Sequence, residues 1–304
     1  MNLSVIIVAR DDKYGDDESI GIYKLNEKPL NNIGRIKFCL ENNIKYLNKY
    51  FDNSYEYIVV DWSPLNGDYL RNNNELKHIF HNDRIKDFIV EPKVVQKMGL
   101  NPKGFYEYFG KNYGIRKSKG KYLLITNSDD FFNEELVKEI KMELSQNPKD
   151  FYYRPHSRLD TNDKLEVVEE GLSFNNDDIF GEIGTPAAGD FTLSDRENII
   201  NIGQGFNENT QIYFNPRYRQ TSLDGDLIIN MHINGIKPKK LKNSINSFVH
   251  NKEERFFYQY PKYQSYMNDK YWGELRPSIL RRMKGITNSY MFSFIKLLKK
   301  FIKL

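Results

Sequence analysis

Cysteine is almost missing from this chain of 304 residues. Cys39 is the only one, so one copy can build neither a disulfide framework nor a cysteine-based zinc site. A reducing, cytoplasmic setting is the expectation. Long apolar runs are missing too: none approaches the roughly 20 residues needed to cross a bilayer. The first run, Leu3 to Ala9, is strand-length and has no basic segment before it, which argues against a secretory signal. Glycine is scarce where nucleotide-binding loops require it. Arg10-Asp11-Asp12-Lys13 follows the first strand, with no G-x-G-x-x-G there and no Gly-Lys-Ser/Thr signature, which disfavours dehydrogenases, nucleotidyltransferases and P-loop enzymes. No internal repeat is visible.

What is present reads as an ordinary soluble globule, 39% hydrophobic and 28% charged, large enough for a substantial core. The first half alternates between strand and helix patterns. Strands are expected over residues 3–9, 55–61, 88–90 and 121–126, and helices over about 33–47, 103–117 and 134–144, the last ending before Asn147-Pro148. This alternation predicts a mostly parallel sheet covered on both faces. In such sheets ligands bind beyond the carboxyl ends of the strands. Arg10-Asp11-Asp12, Asp61-Trp62 and Asn127-Ser128-Asp129-Asp130 all fall at such ends, so three polar clusters meet on one edge if the strands are neighbours. The second half is more irregular, with a further helix expected over about 226–234 before Gly235.

The acidic pair Asp129-Asp130 has two readings. A helix starting near Glu134 could use one of them as its cap; alternatively, carboxylates just past a strand can hold a divalent cation, since hard cations select oxygen ligands. His250, after the apolar Phe248-Val249, is either a satisfied strand-end residue or a metal ligand. Asp190 is either a turn residue or an acceptor contact. Arg154 and Arg158 suit phosphate charge or surface ion pairs equally.

The passage Lys111-Asn112-Tyr113-Gly114-Ile115-Arg116 through Lys121-Tyr122-Leu123-Leu124-Ile125-Thr126-Asn127-Ser128-Asp129-Asp130 resembles the helix, strand and D-x-D segment of family 2 glycosyltransferases of the GT-A fold. Ser4 to Asp11 and Glu56 to Ser63 resemble that family's first two strands. Ile202-Gly203-Gln204-Gly205-Phe206-Asn207-Glu208 and Leu223-Asp224-Gly225-Asp226-Leu227 are similar to its acceptor-side segments, with Leu223 in place of a Glu. A narrower likeness is to a subset with an N-x-D turn instead of D-x-D, matched here by Asn127-Ser128-Asp129. The resemblance implies an α/β GT-A architecture with an acceptor-side extension. Residues 1–254 would form the transferase domain, 1–145 its nucleotide-sugar half and 146–254 its acceptor half. It implies nucleotide contacts at Ala9, Arg10, Asp11, Asp61, Asn112, Asn127 and Ser128, a Mn2+ or Mg2+ ion at Asp129 and His250, and a general base at Asp224. Acceptor contacts are implied at Asp190 and Asp226. The expected reaction moves a sugar from a nucleotide-diphosphate sugar to a glycan or lipid-linked hydroxyl, with inversion. The alternative is a noncatalytic nucleotide- or carbohydrate-binding module on the same fold.

Residues 255–304 form a basic, aromatic extension. Residues 270–304 hold nine Lys/Arg against one Glu, although the whole chain is only +4. Over 295–304, at about 100° per residue, the four lysines share one arc and the apolar residues take the opposite half. That pattern suits an in-plane helix on an anionic membrane surface, or docking of its apolar face onto protein. Nucleic acid is not expected as a partner, since no recognised binding motif accompanies the basic tail.

Overall fold

A computed structural model of the chain describes residues 2–11, 23–25, 28–153, 156–159, 165–168, 191–203, 205, 206, 208, 227, 231, 234–248 and 272–275. The chain runs through β1 (Leu3–Ala9), a hairpin of β2 (Tyr23–Leu25) and β3 (Lys28–Leu30), α1 (Asn32–Phe51) and β4 (Tyr55–Trp62). Then come α2 (Lys77–Phe80), β5 (Ile85–Val90), α3 (Pro92–Lys97), α4 (Glu107–Lys117), β6 (Tyr122–Thr126), β7 (Asp130–Phe131) and α5 (Glu134–Ser145). The remaining described strands are β8 (Phe151–Tyr153), β9 (His156–Leu159), β10 (Leu165–Val168), β11 (Phe191–Asp195), β12 (Pro238–Lys240) and β13 (Ile245–Phe248).

Among the described residues, seven strands form the main sheet in the order β12-β8-β11-β6-β1-β4-β5. β1 lies parallel to β4 and β6, β4 parallel to β5, and β11 runs antiparallel to β6 and β8. The Rossmann-like α/β architecture expected from the strand-helix alternation is therefore the observed one. A smaller sheet, β10-β9-β13-β7, stands beside it.

Every residue of β1 and β4 is buried, as central parallel strands covered on both faces must be. Side chains alternate between two cores. Leu3, Val5 and Ile7 pack with Ile33, Ile36 and Leu40 of α1 and Leu136, Val137 and Ile140 of α5, while Ile6 and Val8 pack on the other face with Tyr108, Phe109 and Ile115 of α4. Each such aliphatic side chain contributes roughly 1.5–3 kcal/mol over leaving it exposed. α4 approaches β1 closely enough that a Cβ on Gly114 would lie 2.6 Å from Ile6 Cγ2, and one on Gly110 2.6 Å from Val8 Cγ1. Those two glycines let the helix backbone rest on the sheet.

Element boundaries shift for identifiable reasons. α4 starts at Glu107, later than the periodicity suggests, because Gly104 closes a turn onto Asn101 and the segment before the helix is tied to the strand ends. β5 extends back to Ile85 along β4. The cap of α5 is Asn133, whose side chain accepts from Leu136 N at 2.7 Å, so neither Asp129 nor Asp130 caps it. Of the helix expected over 226–234, Leu227, Met231 and Asn234 are described; Leu227 and Met231 are helical and buried, and Asn234 is an exposed turn residue; residues 295–304 lie outside the described residues. Among the described residues no helix is long and apolar enough to cross a membrane.

Candidate functional site

The register Ala9↔Asp61 and the pairing of β1 with β6 put Arg10-Asp11, Asp61-Trp62 and Asn127 to Asp130 on one edge, as neighbouring parallel strands require; Asp12 lies outside the described residues. Asp61 is 2% exposed. Its Oδ2 accepts from Leu70 N at 2.9 Å, while Oδ1 is buried with no hydrogen-bond partner among the described residues. Burial above all pushes this carboxyl up to about 7, Asp87 and Asp11 add to the rise, and the Leu70 N–H and Arg10 oppose it. Ala9 is buried in the strand and Asp11 is partly exposed. Arg10 lies over the Phe105 ring, 5.5 Å from its centroid, and donates to Gly104 O at 3.3 Å. Trp62 Nε1 donates to the same carbonyl at 3.2 Å, so one peptide fastens the 101–106 loop to the ends of both β1 and β4.

At the end of β6 the chain closes on itself. Asp130 Oδ2 accepts from Thr126 Oγ1 at 2.6 Å and from Asn127 N at 2.9 Å, which makes Asp130 a turn-closing residue. Asn43 of α1 then grips the next segment, donating to Asp130 O at 3.0 Å and accepting from Phe132 N at 2.7 Å. Asp129 is buried, with Oδ2 3.9 Å from Arg35 Nη1. Arg35 is itself braced by Asn32, whose Oδ1 accepts from Nη2 at 2.5 Å. Cys39 lies close to these groups; burial raises its thiol well above the usual range, Arg35 opposes the rise, and Asp129 and Asp130 reinforce it. Ser128 is partly exposed at the turn. Asn127 Oδ1 accepts from Lys111 Nζ at 2.6 Å. β13 lies against the turn, with Phe248 N donating to Asp129 O at 3.2 Å.

Asn112, expected among the nucleotide contacts, has both ends of its amide committed within the protein. Its Nδ2 donates to Phe206 O and Glu208 Oε1 at 2.9 and 3.1 Å, and its Oδ1 accepts from Phe206 N at 2.8 Å. It thereby holds the Gly205–Glu208 stretch against α4. Trp272 and Gly273 seal the same place: the Arg116 guanidinium stacks over Trp272 at 4.1 Å, and Gly273 N donates to Glu208 Oε1 at 3.3 Å. The sequence reading missed Arg35, Lys111 and Asn43. A signal exists for Arg35, a basic residue between the apolar Ile33 and Ile36 of an amphipathic helix. Asp190, Asp224, Asp226, His250 and Arg154 lie outside the described residues; Arg158 stands in β9, in register with Glu166 of β10 and Ser247 of β13. Among the described residues no three His, Cys, Asp or Glu side chains gather in a metal-holding group.

No family model matches the chain, and no curated protein sequence does. Solved structures do. The structure of S. aureus TarS residues 1–349 superposes with a TM-score of 0.50 at 12% identity, over 82% of this chain and 60% of that one. The structure of the same TarS segment in complex with UDP-GlcNAc gives 0.51 at 13% identity, over 82% and 59%. The chain shares the TarS fold. It spans about 60% of the length of those TarS chains, and at this identity the likeness is one of architecture.

Proposed function

We propose that this chain is a glycosyltransferase that takes a sugar from a nucleoside-diphosphate sugar and passes it to a hydroxyl acceptor. The observation that carries the reading is the buried Asp61 Oδ1, without a hydrogen-bond partner among the described residues, on the same strand edge as Asn127 and Asp129, in a fold shared with a TarS structure that holds UDP-GlcNAc. A nucleobase N–H is the kind of donor that this oxygen lacks. An unpaired buried acceptor costs about 1–3 kcal/mol, and a ligand that supplies the donor recovers it.

The diphosphate belongs at the turn after β6. Asp129 supplies a hard oxygen ligand suited to Mn2+ or Mg2+, and Phe248, bonded to Asp129 O, precedes His250 by two residues. These two side chains would hold the ion, which when bound would neutralise charge on the leaving diphosphate. The Asp130 carboxylate closes its own turn and is not part of that set. Arg35, close beside Asp129, lends the site a fixed positive charge. In this scheme Asp224 accepts the acceptor's proton in an inverting transfer, and Asp190 and Asp226 lie on the acceptor side. The acceptor is a glycan or lipid-linked saccharide, and the 295–304 segment brings the enzyme to an anionic membrane surface.

A thermal-shift screen of nucleoside diphosphates and their sugars, with and without Mn2+, tests this directly, because a ligand that binds only the folded state raises the midpoint. A rise with UDP or GDP species is expected; no rise with any of them removes the proposal. The noncatalytic alternative has one observation in its favour, the engagement of Asn127 by Lys111 in place of a carboxylate. Metal-dependent hydrolysis of a nucleotide sugar by the purified chain separates the two.

A further inference from the structure

Trp272 and Gly273 belong by sequence to the basic C-terminal extension, yet the structure sets them into the body of the fold. Trp272 is buried in the core on the α4 side of the main sheet, together with Phe109, Ile115 and Phe206. Its backbone carbonyl accepts from Arg116 Nε at 3.2 Å, while the Arg116 guanidinium lies over its ring. Gly273 comes closer still. A Cβ there would lie 2.4 Å from the backbone oxygen of Asn112, and its φ of +69° is one that L side chains rarely adopt. Only glycine lets the segment rest on the helix backbone.

This segment covers the stretch from Gly203 to Glu208. Gly205 touches both Trp272 and Asn112, since a Cβ on it would meet the indole ring at 2.7 Å and Asn112 Oδ1 at 2.8 Å. Glu208 Oε1 accepts from Asn112 Nδ2 at 3.1 Å and from Gly273 N at 3.3 Å. Gly203 lies against Leu227 and Met231, where a Cβ would be only 2.3 Å from Leu227 Cδ1. Leu227 is three residues after Asp224. One short stretch is therefore in contact with the C-terminal segment and with a residue just after Asp224.

We infer that Trp272 and Gly273 clasp the 203–208 stretch and so position the acceptor half of the transfer site, while the nucleotide edge stands without them. The inference rests on the nucleotide-sugar reading above, in which Asp224 takes the acceptor's proton. Both are positioning residues, acting through Gly205, Glu208 and Leu227. The nucleotide edge is tied down by other groups, namely Gly104 O on Arg10, Leu70 N on Asp61 and Asn43 on the turn after β6. Mutation of the clasp should separate the two halves.

The test compares the full-length wild type with Trp272→Ala, Trp272→Phe and Gly273→Ala. Each is measured by titration of UDP and GDP in Mn2+, by hydrolysis of UDP-GlcNAc and GDP-mannose, and by amide hydrogen exchange. Trp272→Ala and Gly273→Ala are expected to keep nucleotide affinity and KM within about twofold and to lose about tenfold or more in kcat, since small misplacements of reacting groups cost on the order of a hundredfold. Exchange should quicken at 203–208 and 227–231 and stay at the wild-type level in β1, β4 and β6. Trp272→Phe keeps a ring for Gly205 and Arg116 and should recover to within about threefold of wild-type kcat. Unchanged kcat or unchanged exchange at 203–208 in both alanine variants overturns the inference. So does a matching loss of nucleotide affinity, or of protection in β1 and β4, because the segment then supports the whole fold. These failures leave the nucleotide reading standing. A wild type that binds no nucleotide, or hydrolyses neither sugar, overturns the transferase reading and this inference with it.

Discussion

Glu56 and Asp61 lie five residues apart on β4, at opposite ends of the strand and both nearly inaccessible to solvent, yet their surroundings differ completely. Glu56 Oε1 accepts from Ser4 Oγ and Lys119 N, each at 2.6 Å, and Ser4 Oγ in turn accepts from Gly120 N at 2.8 Å. That end is a closed network joining β1, β4 and the approach to β6. At the other end, among the described residues, Asp61 accepts one backbone hydrogen bond and keeps Oδ1 buried without a partner. A buried carboxylate with its hydrogen bonds made is architecture; one left short of a donor on the carboxyl edge of a parallel sheet is where we propose the ligand binds.

The comparison can be broken most visibly through pH. The Asp61 carboxyl is raised from its ordinary 3.8 to about 7, so the folded state holds its proton more tightly than the unfolded state does. The stability this gives is fully present below about pH 4 and is lost as pH rises through about 7. Urea unfolding from pH 4 to 8 should show Asp61→Asn gaining on the wild type across that window, by on the order of 4 kcal/mol at most. A constant difference between the two would mean that Asp61 is not held protonated. At the opposite end Glu56→Ala should cost about 3 kcal/mol of stability, with nucleotide affinity measured at saturation of folding unchanged. Asp130→Ala sharpens the contrast, because Asp130 stands at the same carboxyl edge as Asp61 but accepts from Thr126 and Asn127. It should cost about 2 kcal/mol by opening the turn, read as a lower denaturant midpoint. Asn133→Ala, which removes only the α5 cap, should cost about 1 kcal/mol.

The edge of the sheet was legible because its signal is local. The runs forming β1, β4 and β6 are apolar enough to be buried on both faces, and each ends in polar residues, so the meeting of Arg10, Asp61 and Asn127 follows from parallel neighbours. The assignment of roles was not local. Nothing near Asp130 in sequence shows that Asn43, 87 residues away, would grip its carbonyl, and helix capping by Asp was a fair expectation until Asn133 was seen to take that role. Lys111 reads as one more basic residue on a helix. Its direction depends on Gly110 and Gly114 laying α4 flat on the sheet, a tertiary fact. Asn112 stands in the stretch that carries the family likeness, but its amide is spent on Phe206 and Glu208. The acceptor-side residues Asp190, Asp224, Asp226 and His250 lie outside the described residues, so their roles rest on the sequence resemblance.

The most direct test of the central claim is calorimetric titration of UDP and GDP, in Mn2+ at pH 8, into the wild type and Asp61→Asn. With the Asp61 carboxylate ionised and aimed at a nucleobase donor, one of these nucleotides should bind the wild type and bind the variant about tenfold or more weakly, while the variant's thermal midpoint without ligand is no lower than the wild type's. Equal affinities in the two proteins, or no binding of either nucleotide to the wild type, would contradict the account.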